Sequence, residues 1–372
     1  MKNLITKEIE AIQFLKKNAT EKTFVSFSGG KDSLVALDLA IRANFNEAIF
    51  CDTTIEFDET LQYVNIISNF YGIKIDIVKA PIDFFEIVRK IGFPSRRSRW
   101  CCDVFKFGPL SCYAIKNKVK CFITGLRSDE SIKRKSYNMI DKNPLVPVTQ
   151  LNPLLDWTEE EIWAYIKKYN LPINPLYNDF IRLGCWCCPF KRAEEYKKIE
   201  SLYPDLFYKL KSELKLYAEK IGITNLNEFI ENYGWTSYIS PIERVQAGFS
   251  IINEDENEYQ ISFIKENQTN DLIGLIPILT NNYEISDKGR KIKIPSSVSY
   301  GKIKILIEKA INCICCGACL STCKYNALKI RNGKIEVNGN CVHCLECLRT
   351  NLLRGSCIVR NYSPKRKTLC AL

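Results

Sequence analysis

Histidine is nearly missing from this chain, with one residue, His343, in 372. That scarcity sets aside histidine-based acid–base catalysis and histidine-rich zinc sites. Long apolar runs are missing too: none approaches the ~20 residues of a membrane span, so no membrane partner is expected. Residues 1–10 mix charges and lack the apolar core of a signal peptide, so a cytoplasmic protein is expected. A Walker loop is absent from Ser28-Gly29-Gly30-Lys31-Asp32-Ser33, because it needs four residues between Gly and Gly-Lys-Ser/Thr.

Cysteine and positive charge are in excess. Eighteen cysteines in a reducing compartment point to metal binding or redox chemistry rather than disulfides. The formal net charge of +11 favours an anionic partner, either a multiply charged small molecule or a nucleic acid. Apolar residues at 46% and charged ones at 26% are ordinary for a globular chain, and the length suits two or three domains.

Ile9, Ile12 and Leu15 recur at helical spacing, predicting a helix over 7–19. Thr23–Phe27 then reads as a strand that stops at the glycines, with a helix following from Leu34. The first N–H groups of such a helix have no internal partner, and the glycines let main chain wrap an anion. Lys31 adds a cation, and Ser28 and Ser33 add hydroxyl donors; a plain tight turn is the alternative. Strands at 47–52, 74–78 and 120–124 alternate with helices at 57–71 and 82–91, implying a parallel sheet with ligands at its C-terminal edge. Asp52 and the loop from Gly125 to Ser131 fall on that edge, Asp52 also reading as a helix N-cap. Arg96, Arg97, Arg99 and Lys106 surround Cys101-Cys102, a density that suits phosphate or sulfate and lowers thiol pKa values. Arg127 and Arg134 are further anion candidates, or else solvated loop charges.

Thr158 and Glu161 stand at capping-box spacing, and Leu171–Tyr177 breaks the helix they open. Cys185-Trp186-Cys187-Cys188-Pro189 follows, and then helices over 191–232 with no chemistry of their own. Residues 235–305 read as a strand-rich connecting module, with strands at 259–264 and 272–276; it is a spacer or an RNA contact. Cys51, Cys112 and Cys121 lie in apolar runs and read as core thiols, and His343 as a surface residue or one behind the cysteines.

The Ser28–Ser33 loop resembles the PP-loop of the adenine-nucleotide alpha hydrolase superfamily. Asp52-Thr53 with Phe57, Cys101-Cys102, the Asp156-Trp157 helix, Asn174-Pro175-Leu176-Tyr177 and Cys185-x2-Cys188 follow in order. Together over residues 20–192 they resemble the iron–sulfur adenylyl-sulfate and phosphoadenylyl-sulfate reductases. The resemblance implies a [4Fe–4S] cluster on Cys101, Cys102, Cys185 and Cys188, beside an adenine sulfonucleotide. Zinc on the same thiolates is the alternative, and Cys187 competes as a ligand. The nucleotide would lie on Ser28, Gly29, Gly30, Lys31, Asp32, Ser33 and Asp52, with Lys31, Arg97, Arg99, Lys106 and Arg127 at the reacting anion.

Cys313-x2-Cys316-x2-Cys319-x3-Cys323 is followed by Cys341-x2-Cys344-x2-Cys347 and, nine residues on, Cys357. These runs resemble the bacterial two-cluster ferredoxin, in which the fourth cysteine of each run serves the other cluster. Carried over, Cys313, Cys316, Cys319 and Cys357 hold one [4Fe–4S] cluster, and Cys323, Cys341, Cys344 and Cys347 another. The long gap before Cys357 departs from that pattern and leaves Cys315 as a substitute. Asn326–Val337 reads as the hairpin between the runs.

The expected architecture is α/β: a parallel-sheet PP-loop domain over 1–232, a strand-rich connecting module over 233–305 and an α+β ferredoxin-like domain over 306–372. The leading functional expectation is an iron–sulfur reductase of adenylyl sulfate or phosphoadenylyl sulfate. It would draw on its own ferredoxin domain, fed by an external electron donor, and a homo-oligomer is compatible with it. The Glu-Cys-Gly-Leu-His segment of thiol-dependent relatives is missing; Cys370, beside Lys365-Arg366-Lys367, is a candidate replacement, and Cys187 is open as a nucleophile too. The intact Ser-Gly-Gly-Lys-Asp-Ser supports a different class: a sulfurtransferase that uses ATP with Mg2+ to activate tRNA or DNA. A non-catalytic electron carrier is the third reading.

Overall fold

Residues 34–40 are apolar apart from Asp38, the pattern of a helix buried on every side. The computed structural model describes residues 3–130, 132–143, 146–238, 249–255, 258–263, 272–287 and 290–348. In it that helix, α2 (Lys31–Arg42), lies in the centre of the larger of two compact units. The first unit takes Met1–Lys79 and Phe105–Ser237, the second Ala80–Val104 and Tyr238–Leu372.

In the first unit α1 (Leu4–Asn18) leads to β1 (Thr23–Phe27), α2, β2 (Ala48–Asp52), α3 (Asp58–Tyr71) and β3 (Ile75–Lys79). Within the second unit's share of the chain follow α4 (Phe84–Ile91) and the single turn α5 (Trp100–Cys102). The first unit resumes with α6 (Gly108–Asn117), β4 (Cys121–Ile123), β5 (Ile140–Lys142), β6 (Thr149–Leu151), α7 (Glu159–Lys168), α8 (Ala193–Leu202) and α9 (Pro204–Ile221). Its sheet has the order β3-β2-β1-β4-β6-β5. Five strands run parallel, as expected, but β5 pairs antiparallel with β6, so the sheet is mixed. The connection of six residues between β5 and β6 is too short for a crossover and permits only an antiparallel return.

Buried Asp38 is satisfied by three donors: Arg42 Nε at 2.6 Å, Tyr71 Oη at 2.8 Å and Tyr165 Oη at 2.6 Å. These bonds tie α2 to α3 and α7, the latter opened by the expected Thr158–Glu161 capping box. Cys51 and Cys121 are core thiols, whereas Cys112 is half-buried. Burial pushes the Cys51 thiol up to about 12.

The second unit contains the antiparallel sheet β7-β8-β10-β9, from β7 (Phe249–Asp255), β8 (Glu258–Phe263), β9 (Glu284–Ser286) and β10 (Lys291–Pro295). Then come α10 (Tyr300–Ile311) and the hairpin β11 (Leu328–Arg331) and β12 (Lys334–Val337), which lies where it was expected. The strand expected over 272–276 is wrong. Leu272 and Ile273 form a helical turn and Ile276–Ile278 a 3₁₀ turn, so that Leu272, Leu275, Ile276, Ile278 and Leu279 all face the core. Their three-to-four spacing and Pro277, which has no N–H to give a ladder, favour the helical arrangement. Among the described residues no helix is long and apolar enough to cross a membrane.

One contact fixes how closely β4 and α2 approach. A Cβ on Gly125 would stand 2.5 Å from the Asp32 carbonyl carbon and 2.7 Å from the Ser33 nitrogen, both rigid backbone. Gly125→Ala is therefore expected to cost about 1–3 kcal/mol, read as a lowered denaturant midpoint with an unchanged slope.

Candidate functional site

Strand order reverses about β1, with β2 on one side and β4 on the other, and this switch point is where an open α/β sheet forms a ligand crevice. The chain crosses it from Phe27 through Ser28-Gly29-Gly30 into α2. Gly29 has φ +76°, and a Cβ there would come within 2.9 Å of Thr60 Cγ2, so glycine is required. Ser33 Oγ closes the loop: it accepts from the Ser28 amide and the Ser28 hydroxyl, each at 3.1 Å, and donates to the Gly30 carbonyl at 2.8 Å.

The loop is held from two sides. Asn174 Nδ2 donates to the Gly29 carbonyl at 3.2 Å, and Tyr177 Oη accepts from the Lys31 amide at 2.8 Å. Lys31 is 8% exposed, and its Nζ lies 3.2 Å from both Asp32 Oδ2 and Glu159 Oε1. Arg127, 3% exposed, donates Nε to Asp32 Oδ1 at 2.6 Å. Burial works against the Arg127 charge, but the bond to Asp32 and the charges of Asp32, Glu130 and Glu159 together outweigh it and hold the guanidinium pKa above its ordinary value. The structure thus gathers Ser28, Lys31, Asp32, Ser33 and Arg127 at one crevice, with Arg127 engaged by protein. Arg134 pairs with Glu130. Asp52 ends β2 and accepts from the Thr54 amide at 2.8 Å, a turn-capping bond.

Past Thr54 the chain reaches a second feature. Cys185 Sγ lies 3.3 Å from Thr53 Oγ1 and 3.8 Å from Glu56 Oε1. Burial pushes the Cys185 thiol well up, and Glu56 pushes it further. Burial also raises Glu56, opposed by the hydroxyl of Thr53 and the charge of Lys106. Cys185 and Cys188 close one turn, the Cys188 amide donating to the Cys185 carbonyl at 3.2 Å. Cys187, at 1% exposed, is directed into the core.

Residues 22–191 match the phosphoadenosine phosphosulfate reductase domain. An adenosine 5'-phosphosulfate reductase of Oceanobacillus iheyensis is 30% identical over 166 residues, which cover 43% of this chain and 68% of that protein. The chain belongs to the adenosine 5'-phosphosulfate and phosphoadenosine phosphosulfate reductase family. Its residues 22–191 are an enzyme domain of that type. An uncharacterized protein of Methanocaldococcus jannaschii is 37% identical over 225 residues, 57% of this chain and 46% of that one. A second from the same organism is 35% identical over 206 residues, 54% and 50% of the two chains. The chain thus spans about half the length of the first curated relatives it matches. A solved phosphoadenylyl-sulfate reductase from Candida auris covers 49% of this chain and 94% of its own, at 20% identity and a TM-score of 0.41.

Of the remaining predicted residues of the reductase, Lys106 is exposed in the first unit and Arg97, Arg99, Cys101 and Cys102 lie in the second. Arg97 and Arg99 are exposed, and Arg99 Nη2 donates to Cys102 Sγ at 3.4 Å. Cys101 and Cys102 thus belong to the second unit, Cys185 and Cys188 to the first. Beyond the family match, Cys323, Cys341, Cys344 and Cys347 line one small pocket, open in part to solvent, together with Ile278 and Tyr325. The Ala327 amide donates to Cys323 Sγ at 3.2 Å. His343 keeps Nδ1 buried with no hydrogen-bond partner. In the other run Cys313 and Cys315 approach to 4.0 Å, and Cys315 has φ +56°. Cys357 and Cys370 lie outside the described residues. Among the described residues no three His, Cys, Asp or Glu side chains converge on a point suited to a single metal ion.

Sequence reasoning passed over Tyr177, Glu159 and Glu56 as side chains of the site and took Thr53 only as part of the Asp-Thr segment. The Asn-Pro-Leu-Tyr segment was the available signal for Tyr177; the others are ordinary polar residues brought in by the fold. Because Arg127 is buried against Asp32, Arg127→Met is expected to destabilise the first unit by about 3 kcal/mol, measured by denaturant titration.

Proposed function

We propose that this chain reduces adenylyl sulfate, or its 3′-phosphorylated form, to sulfite with electrons passed through its own cysteine-rich module. The observation that carries the electron route is the make-up of the second unit. The segment bearing Cys101-Cys102 folds there with the ferredoxin-like residues. A Cβ on Gly317 would stand 3.1 Å from the Pro81 ring, and Lys90 Nζ donates to the Ile314 carbonyl at 3.4 Å. From the other end of α4, Phe84 stacks on Trp100 with ring centroids 5.7 Å apart. α4 therefore touches both cysteine-bearing segments.

Three [4Fe–4S] clusters are the cofactors proposed. Cys101, Cys102, Cys185 and Cys188 would hold the first, Cys313, Cys316, Cys319 and Cys357 the second, and Cys323, Cys341, Cys344 and Cys347 the third. Support for the third comes from four thiols around one cavity, an amide aimed at Cys323 and the buried orphan nitrogen of His343. Such a cluster spreads its thiolates over a cube, so single-ion convergence is not required of them. When bound, clusters of this kind supply single electrons at low potential.

The chain's own residues have separable tasks. The Ser28–Ser33 loop and the start of α2 receive the nucleotide phosphate. Lys31 turns from Asp32 and Glu159 toward that anion, and Arg127 keeps Asp32 in place. Arg97, Arg99 and Lys106 supply cations for the sulfate. Two electrons break the S–O bond; the oxygen leaves with AMP or its 3′-phosphorylated form, and sulfur leaves as sulfite.

The intact Ser-Gly-Gly-Lys-Asp-Ser loop favours a second reading, an ATP- and Mg2+-dependent sulfurtransferase acting on tRNA or DNA. One anaerobic assay separates the two. The dithionite-reduced chain is mixed with adenylyl sulfate, its 3′-phosphorylated form, or ATP plus RNA, and sulfite and pyrophosphate are measured. Sulfite is expected from at least one sulfonucleotide; pyrophosphate without sulfite overturns the reductase reading. The loaded chain is expected to carry about twelve irons.

A further inference from the structure

Lys31, the first residue of α2, is buried together with its charge. A buried ammonium needs anions beside it, and two carboxylates meet this one at 3.2 Å, Asp32 Oδ2 and Glu159 Oε1. The two are not equivalent. Asp32 also accepts from the buried Arg127, whose Nε lies 2.6 Å from Oδ1, so its charge is divided between two cations. Glu159 comes from the first turn of α7, and about half of its side chain faces water. The neighbouring acids serve arginines instead: Asp129 lies 3.5 Å from Arg127 Nη1, and Glu130 pairs with Arg134.

Exchange at Lys31 therefore falls to Glu159. Asp32 cannot withdraw without leaving buried Arg127 to the exposed Asp129. Glu159 can turn into water, and in the first turn of α7 its charge stays favourable beside the helix N-terminus. The backbone side of the cradle is kept in the same way. The Lys31 amide, one of the donors a phosphate at the start of α2 would use, donates to Tyr177 Oη at 2.8 Å. Oxygens of the protein thus occupy both donors of Lys31.

We propose that Glu159 is the displaceable counter-ion of Lys31: it holds the ammonium in the empty crevice, yields it to a nucleotide phosphate and takes it back as the product nucleotide leaves. The inference deepens the nucleotide reading above and rests on it. An incoming anion gains only the difference between its own pairing with Lys31 and that of Glu159, so binding is weaker and release easier than at an unoccupied lysine. Glu159 acts on binding and takes no part in breaking the S–O bond.

Binding of AMP and of adenosine is measured by isothermal titration calorimetry on the wild-type chain, Glu159→Gln and Glu160→Gln. Glu160, exposed in the same turn, is bonded at the helix start to Thr158 and its own amide, so its loss removes one negative charge without touching Lys31. Glu159→Gln is expected to bind AMP about tenfold tighter, with its affinity for adenosine unchanged. Glu160→Gln is expected to stay within about twofold of the wild type for AMP. AMP bound no more tightly by Glu159→Gln overturns the inference. So does an equal gain in Glu160→Gln, which would make the effect one of overall charge, or an equal gain for adenosine. A Glu159→Gln chain that fails to fold makes the glutamate structural and overturns it as well. A wild-type chain that binds neither AMP nor its 3′-phosphorylated form removes the nucleotide reading itself, and this inference with it. Binding needs no electrons, so a nucleotide that binds without yielding sulfite overturns only the reductase reading.

Discussion

The close approach of β4's loop to the first turn of α2 is the constraint on which the site depends. Gly125 lies against the Asp32 backbone because it has no side chain to prevent it. From there Arg127 reaches Asp32, and the same carboxylate shares Lys31 with Glu159. One packing contact thus orders a chain of charges around the helix terminus. The Asp38 bonds beneath α2 hold the helix that presents them. With both ends fixed, Lys31 sits in a place where an incoming anion competes with two carboxylates and the Tyr177 hydroxyl competes for its amide.

What could be read in advance was local. The glycine turn, the capping box of Thr158 and Glu161 and the hairpin at Leu328–Val337 each carry their geometry in a few adjacent residues. The crevice was legible for the same reason: a strand that stops at Gly-Gly-Lys and restarts as a helix has few other uses. Tyr177 lies 146 residues from Lys31, and no short-range pattern announces that bond. Arg127 shows the opposite difficulty. Its place after a strand suggested an anion ligand, and only burial and the 2.6 Å bond to Asp32 reveal the protein carboxylate it already serves. The antiparallel β5 was missed because Ile140-Asp141-Lys142 is mostly polar and carries little strand signal, and the helical turns near Leu272 because short apolar runs suit several geometries. α10 was missed, its first half being read into the strand-rich module, although Ile303, Leu306, Ile307 and Ala310 recur at helical spacing and are buried.

The chain contains two kinds of site. In the first unit backbone amides, glycines and paired charges form a cradle for an anion. In the second, thiols line a pocket partly open to solvent, and the buried Lys309 ammonium lies 3.5 Å from the Cys347 carbonyl. Residues 80–104 lie inside the family match of residues 22–191 yet group with the second unit, and the chain returns to the first at Phe105. In the proposed electron route this segment is what places Cys101-Cys102 in the cysteine-rich unit.

That route is tested most directly by counting electrons in a closed system. The iron-loaded chain is reduced anaerobically, freed of reductant, and mixed with adenylyl sulfate or its 3′-phosphorylated form. Internal supply gives sulfite from stored electrons alone, one molecule for every two electrons lost from the clusters. Sulfite that forms only after an external donor is restored, with the clusters still reduced beforehand, would contradict it.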